Sequence, residues 1–493
     1  MQLYNPAFRG HPTAEVRQVE NRTLTDRTIR DIFAEAADFM VRPLTCCGKT
    51  LYLYAIDGLV SGGDLSETVV KPVTEHLTGD TMVQLYRGAL AGMVYNCVAD
   101  PCTDAATAAK KLVNGFGVLL FPGAGAIAFE VKTGDKRGPS APEVENTVKG
   151  PKDAFVETVR SNTSLVRRHL RAPELRLYET QVGRRSLTNL SLLWLEGVTN
   201  RALVERMKER IASIDVDGFL SPSAVEEYMN GSRKTAFPLL QYTERPDKFC
   251  QGLLDGRVGL LVDGLPLGYL APVDLGYLMD SPEDRSRDYL SASGIRILRY
   301  GALLLSLLLP GIYVAMMTFH QEMVPLPLLR AVIESKRSVP FSTTAEVLAL
   351  LLAFELLQES GIHLPQAVGQ SVSIIGGIVV GTAAVEAGLV SPAALIAVSL
   401  AGVCGFALPN RDLAEGIRLW RFALAALGSL GGLFGVTAGG LALLIHLSGL
   451  RSLDVAYLAP FGDKSNAGVT RPRLKTQKWR DLRLAPEDRR NQV

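Results

Sequence analysis

From about residue 295 onward the chain carries apolar runs too long to be ordinary core elements of a water-soluble domain. Crossing a hydrocarbon layer of roughly 30 Å takes about 20 residues of α-helix. Four runs meet or approach that length: ILRYGALLLSLLLPGIYVAMMTF (297–319), VGQSVSIIGGIVVGTAAVEAGLV (368–390), PAALIAVSLAGVCGFALP (392–409) and FALAALGSLGGLFGVTAGGLALLIHLSGL (422–450). Lipid offers backbone N–H and C=O groups no partner, so runs of this kind fold as helices that satisfy their own backbone. The mean hydropathy of +0.16 is high for a soluble chain, and the excess sits in this part of it. Residues 295–450 are therefore read as a helical membrane domain in which each run is one span, with Pro310 expected to kink the first.

A fifth run, AEVLALLLAFELLQESGI (345–362), is apolar but holds Glu346, Glu355 and Glu359. An ionised carboxylate left alone in lipid is costly, so these side chains must face protein, water or the headgroup layer. Glu355 and Glu359 share one helix face, while Glu346 points about half a turn away. All three are candidates for an ion path or gate. Glu355 stands foremost, because the other two fit headgroup depth at the helix ends. Glycines at intervals of four, Gly377 with Gly381 and Gly431 with Gly435, mark faces where helix backbones can approach closely.

Residues 1–40 read as a polar arm without the apolar core of a cleavable signal, so the N-terminal region is expected in the cytoplasm. The tail 451–493 is strongly basic and is placed on the same side by the excess of Lys and Arg. Both ends on one side require an even number of spans, out of four to six counted. A short segment, MVPLPLLRAVI (323–333), supplies the missing crossing or re-enters the layer.

Between the arm and the membrane domain the sequence repeats itself. LVNGFGVLLFPGAGAI (112–127) and LLDGRVGLLVDGLPLGYL (253–270) align without a gap, setting Asn114 on Asp255, Gly115 on Gly256 and Gly123 on Gly264. Each reads as two strands joined by a tight turn. Upstream of each lies a strand that ends on an acidic-glycine pair, Asp57-Gly58 and Glu196-Gly197, at a matching distance. ALVERMKERIASI places Leu203, Met207 and Ile211 on one face of an amphipathic helix. The fold class follows: an α/β soluble N-terminal region of two related subdomains (41–140 and 150–280), then an all-α multi-span membrane bundle.

Little in this region points to chemistry. With 52 basic against 50 acidic residues the net charge is +2, which gives no field for gripping nucleic acid. Six cysteines show no C-x-x-C pair, and six scattered histidines form no catalytic or metal-binding spacing. The glycines of GFGVLLFPGAGA sit inside a hairpin, not between a strand and a helix as a nucleotide loop requires. No catalytic, cofactor-binding or metal site is expected. The basic pairs Arg167-Arg168 and Arg184-Arg185 are read as solvated helix faces.

Longer phrases carry more. VKGPKDAFVETVRSNTSLVRRHLRAPEL (148–175), VGRRSLTNLSLLWLEGVTN (182–200), FPLLQYTERPDKFCQGLLDGRVGLLVDGLP (237–266), LPQAVGQSVSIIGGIVVGTAAVEAGLVSPA (364–393) and LIHLSGLRSLDVAYLAPF (444–461) occur in that order. Together they resemble the A-subunits of spore germinant receptors, the GerA family, with the motif Thr243, Glu244, Arg245, Pro246, Asp247 intact. Pro340-Phe341-Ser342 departs from the family's Pro-Phe-Pro turn. The resemblance implies a multi-pass protein of the spore inner membrane, partnered by receptor B- and C-subunits, by lipid and by copies of itself as a homo-oligomer. It implies a part in relaying or conducting the ion-release signal that starts germination. The alternative it leaves open is a SpoVAF-like accessory protein of the dipicolinate-release machinery.

Overall fold

The computed structural model describes residues 23–133, 142, 145, 149–230, 235–363, 381–453 and 455–458. The apolar run 368–390, with Gly377, thus lies largely outside the described residues.

The N-terminal head is built twice on one plan. The first unit runs α1 (Asp26–Ile32), β1 (Phe39–Cys46), β2 (Lys49–Ile56), helical stretches from Gly62–Leu65 through Lys71–Glu75 and at Met82–Gly88, then β3 (Ala99–Cys102), α2 (Ala105–Leu112), β4 (Phe116–Phe121) and β5 (Gly125–Glu130). The second runs α3 (Val159–His169), β6 (Leu175–Val182), β7 (Thr188–Leu195), α4 (Arg201–Ala212), α5 (Pro222–Asn230), β8 (Gln241–Thr243), α6 (Pro246–Leu254), β9 (Val258–Val262) and β10 (Gly268–Ala271). Both give helix, hairpin, two helical segments, strand, helix, hairpin. The two antiparallel sheets repeat one order, β1-β2-β4-β5-β3 and β6-β7-β9-β10-β8. Matched turns carry the duplication into the backbone: after α2 and α6 the chain reverses on Gly115 (φ +82°) and Gly256 (φ +87°), where a side chain would be strained.

Each sheet is covered on both faces, which is why its central strands read as continuous apolar runs. Along β4, Phe116, Val118 and Leu120 meet α1 and α2, while Leu119 and Phe121 meet the opposite helices. The first helix lies before residue 41, and its Ile29 and Ile32 are buried in this core. In the second unit α3 and α6 cover one face and α4 and α5 the other, with Leu203, Met207 and Ile211 turned inward.

The two units are joined through polar groups. Ala37 N–H donates to the Leu177 carbonyl (2.9 Å) and Leu177 N–H to that of Glu35 (3.1 Å), a short parallel bridge. Arg167 Nε and Nη2 each donate to Asp38 at 2.8 Å, with both side chains 2% exposed. Arg167 is therefore a buried inter-unit residue. The solvated face expected of it fails because α3 turns this position onto the first unit. Arg184 does sit at the surface, paired with Asp215 at 71% and 67% exposure.

The C-terminal bundle contains α7 (Tyr289–Phe319), α8 (Leu326–Lys336), α9 (Thr343–His363), a short helix at Gly381–Glu386, α10 (Pro392–Phe406) and α11 (Arg411–Gly449). By length and composition α7 and α11, of 31 and 39 residues, can cross a membrane. Large apolar side chains point outward along them, including Leu298 (66% exposed), Leu430 (79%) and Phe434 (79%). Such a surface suits lipid or a protein partner and not water. The helix α7 continues through Pro310, which is buried within it.

The sharp break is in α11. Gly432 has φ +61° and ψ −145°, a region that glycine alone occupies comfortably. The helix folds back there into two antiparallel arms, 411–431 and 433–449. A Cβ at Gly439 would lie 2.6 Å from Leu424 Cδ2, whereas an unbroken helix would hold those residues about 22 Å apart. The run 422–450, expected to be one span, is thus the inner part of a helical hairpin. Apolar length alone does not register the reversal that a single glycine permits. At the hairpin tip Gly432 packs on Phe319 and His320 at the end of α7, and a Cβ on Gly428 would stand 2.6 Å from the Gly311 carbonyl oxygen of α7.

Two outcomes are expected. Cysteines placed at Trp420 and His446, whose rings lie 6.1 Å apart, should be joined by a short bifunctional thiol reagent. An unbroken helix would separate them by about 39 Å and give no product. Asp38→Asn should destabilise the purified protein by about 3 kcal/mol in thermal unfolding, because it leaves Arg167 buried and uncompensated. Arg184→Ala should change stability by less than about 0.5 kcal/mol, and equal effects from the two variants would refute the inter-unit role.

Candidate functional site

Polar residues inside the bundle form the candidate site. On α9, Glu355 pairs with Arg418 of α11 (Nη1 to Oε2, 3.0 Å), and Arg418 also donates to Gln358 (2.6 Å). Both ends of the pair are about one-quarter exposed. One turn further along α11, Arg421 is 2% exposed and donates to the Ser306 hydroxyl of α7 beside Gly405 of α10. Three elements thus converge on one arm of the hairpin through two guanidinium groups. A charge held this way in an apolar bundle keeps its partners close, because losing them would strand it in low dielectric.

The other two glutamates lie elsewhere. Glu346 is 1% exposed, accepts the Ser391 N–H at the start of α10 and has Lys336 at 3.8 Å. Glu359 is exposed on α9. The structure therefore brings none of the three expected carboxylates together and gives Glu355 a cation across the bundle. Arg418 and Arg421 were not singled out from sequence, because they precede the apolar run 422–450 and looked like its flank. Their spacing of three and the tryptophan between them were the available signal.

Of the expected packing glycines, Gly435 and its neighbour Gly439 lie in the tight contact between the hairpin arms, where an added Cβ would collide with Leu427. Gly431 faces open space, and Gly381 has ordinary room against Leu395.

The motif Thr243–Asp247 is a clasp on the chain between the two units. Arg245, 1% exposed, holds Asp247 in a bidentate pair (3.0 and 2.8 Å) and donates to the carbonyls of Glu145 (3.2 Å) and Pro151 (3.1 Å). The Thr243 hydroxyl donates to the Glu145 carboxylate, which also takes Lys248 at 2.6 Å. The Glu145 N–H donates to Glu244 (2.6 Å). Pro246 opens α6 with its ring at the first helical position, where no N–H is needed. Nearby, His169 pairs with Asp153 at 2.6 Å, which raises the imidazole and lowers the carboxyl from their ordinary values.

Head and bundle meet at a further cluster. Asn410 caps α11 and donates to Gln241 of β8 (3.0 Å), both buried. The His446 ring, on the returning arm, is 3.0 Å from the Thr235 hydroxyl. Burial first, then the nearby charges of Asp412 and Glu415, pushes Glu226 on α5 up to about 7.

The model of the Bacillus/Clostridium GerA spore germination protein family matches residues 27–482. Relatives in Bacillus subtilis strain 168 include an uncharacterized membrane protein, YfkQ, 34% identical over 90% of this chain and 85% of that one. Spore germination protein KA is 35% identical over 72% of this chain and 65% of its own length. Spore germination protein A1 is 33% identical over 74% and 76%. Among solved structures, the N-terminal domain of the A subunit of the Bacillus megaterium spore germinant receptor GerK3 is 23% identical, with a TM-score of 0.39 over 50% of this chain and 92% of that one.

The raised Glu226 carboxyl means that folding favours its protonated form, so its contribution is full below about pH 4.5 and is lost as pH climbs through about 7. Thermal stability of the wild type should fall between about pH 5 and 8 relative to Glu226→Gln. The expected decline is on the order of 1 kcal/mol after allowance for solvent screening. Coincident pH profiles for the two proteins would remove Glu226 from the joint's energetics.

Proposed function

The chain belongs to the Bacillus/Clostridium GerA family of spore germination proteins, and from that premise we propose that it is the A-subunit of a nutrient germinant receptor. In this reading it is a multi-pass protein of the spore inner membrane with its head in the cytoplasm. It assembles with B- and C-subunits and with copies of itself, carries out no catalysis, and relays or conducts the ion-release signal.

The observation that carries the reading is the continuity of head and bundle. One apolar core runs from Phe237, Leu239 and Leu253 of the second unit to Leu307 of α7 and to Ile417, Leu424, Leu443 and Leu447 of both hairpin arms. Rearrangement of the head therefore moves the base of α11, and the Glu355–Arg418 pair lies two turns above Asn410. That pair is the element a gate could break and remake, with Glu355 as its cation-attracting half.

The test is germinant-triggered cation release from spores carrying Glu355→Gln or Arg418→Gln at normal protein level. A coupling of ordinary size slows release by about fivefold or more, and exchanging the two residues should restore part of it. Release at the wild-type rate from both single variants would remove the pair from the signal. Recovery of the protein with dipicolinate-release components, and without B- and C-subunits, would favour the accessory role instead.

A further inference from the structure

We propose that the adjacent thiols of Cys46 and Cys47 are a redox modification site, at which a low-molecular-weight disulfide oxidises the pair to a reversible vicinal disulfide. The proposal stands apart from the role assigned to the bundle.

The two residues stand at the tip of the β1–β2 hairpin. Cys46 ends β1 and pairs in register with Lys49, which opens β2. Cys47 (φ +48°) and Gly48 (φ +73°) are therefore the central residues of a two-residue turn in which both dihedrals are positive. Asn, Asp or Gly is the ordinary choice at the first of these positions, and a cysteine is strained there. A strained residue foreign to its turn type points to function. At this turn the two sulfurs lie 3.9 Å apart, and both face the Leu77 carbonyl oxygen, Cys46 Sγ at 3.1 Å and Cys47 Sγ at 3.6 Å. A soft metal ion would need further ligands, and among the described residues no group of three His, Cys, Asp or Glu side chains is placed to hold one. The pair is thus a dithiol, and its chemistry is thiol–disulfide exchange.

Burial assigns the roles. Cys46 is 3% exposed, and burial first, then the neighbouring Cys47 thiol, pushes it up to about 11, so it stays protonated and shielded from solutes. Cys47 is exposed and meets the oxidant. Its thiolate attacks one sulfur of a disulfide RSSR, forming a Cys47–SR mixed disulfide and releasing RS⁻. Cys46 then gives up its proton to that RS⁻, and its sulfur attacks Cys47 Sγ and expels the second RS⁻. In sum the two thiols and RSSR become one protein disulfide and two RSH, the protein losing two hydrogens and RSSR gaining them. The second step is intramolecular between sulfurs already in contact, so it outruns any solute thiol. Consecutive Cα atoms are only about 3.8 Å apart, closer than disulfides prefer, so the ring is strained and thiols reopen it readily. Such a bond serves as a reversible mark and not as a structural staple. Closing it also takes both S–H groups from the Leu77 carbonyl, on a segment that Lys49 of the same hairpin holds through the Asp80 carbonyl. The first unit thereby follows the thiol–disulfide balance around it.

The experiment is peptide mass mapping of the full-length protein in detergent after incubation with oxidised glutathione and blocking of the remaining thiols. In the wild type the peptide holding Cys46 and Cys47 should lose two hydrogens and keep no glutathione, and dithiothreitol should restore it. Cys46→Ser should trap the intermediate, with at least tenfold more glutathione on Cys47 than in the wild type. Cys47→Ser, a change at the exposed turn, serves if Cys46→Ser fails to fold, and it should leave Cys46 unmodified. Absence of the two-hydrogen loss in the wild type, as much glutathione on its Cys47 as in Cys46→Ser, a dimer cross-linked through Cys47, or glutathione on Cys46 in Cys47→Ser would each overturn the proposal.

Discussion

The core that the second unit shares with α7 and α11 governs the rest of the molecule. Leucines from a sheet-covering helix and from three helical segments of the bundle occupy one continuous apolar volume, so neither part can be repacked without exposing the other. Buried polar contacts also cross this boundary, among them Asn410 to Gln241, Ser452 to the Leu239 carbonyl at 2.6 Å, and the Leu275 N–H to the Tyr457 carbonyl at 2.9 Å. They fix register where the apolar contact alone would let the surfaces slide. The first unit is tied to the second by contacts that include the Arg167–Asp38 pair and the strand-like bridge at Leu177.

Much of the head was legible in sequence because its signals are local. A strand that ends on Asp57-Gly58 or Glu196-Gly197, and hairpins that turn on Gly123 and Gly264, announce themselves through residues that tolerate positive φ. Two such series at matched distances showed the duplication. What stayed hidden was the pairing of distant residues. Nothing around Arg167 distinguishes it from the surface pair at Arg184, and only the approach of Asp38, 129 positions away, makes it a buried group.

The bundle was legible in composition and not in path. Apolar length identified the helices but could not separate a straight rod from one folded at Gly432. The carboxylates of α9 were visible as anomalies in an apolar run. Their cations were not, because Arg418 and Arg421 look like an ordinary polar flank until α11 is placed against α7, α9 and α10. The motif Thr243–Asp247 was conspicuous from the start, and its geometry is that of a fastening for the inter-unit chain around Glu145.

The reversal at Gly432 also settles a matter of parity. A segment that goes out and comes back contributes an even number of passages wherever it is inserted, so it adds buried helix without changing which side the following chain emerges on. Leu450 and Tyr457 accordingly return to the head from which Asn410 departed. Lengthening or shortening both arms together would alter how deep the tip reaches while leaving sidedness intact. The arms are free to vary in length together in a way that α7, a single unbroken helix, is not.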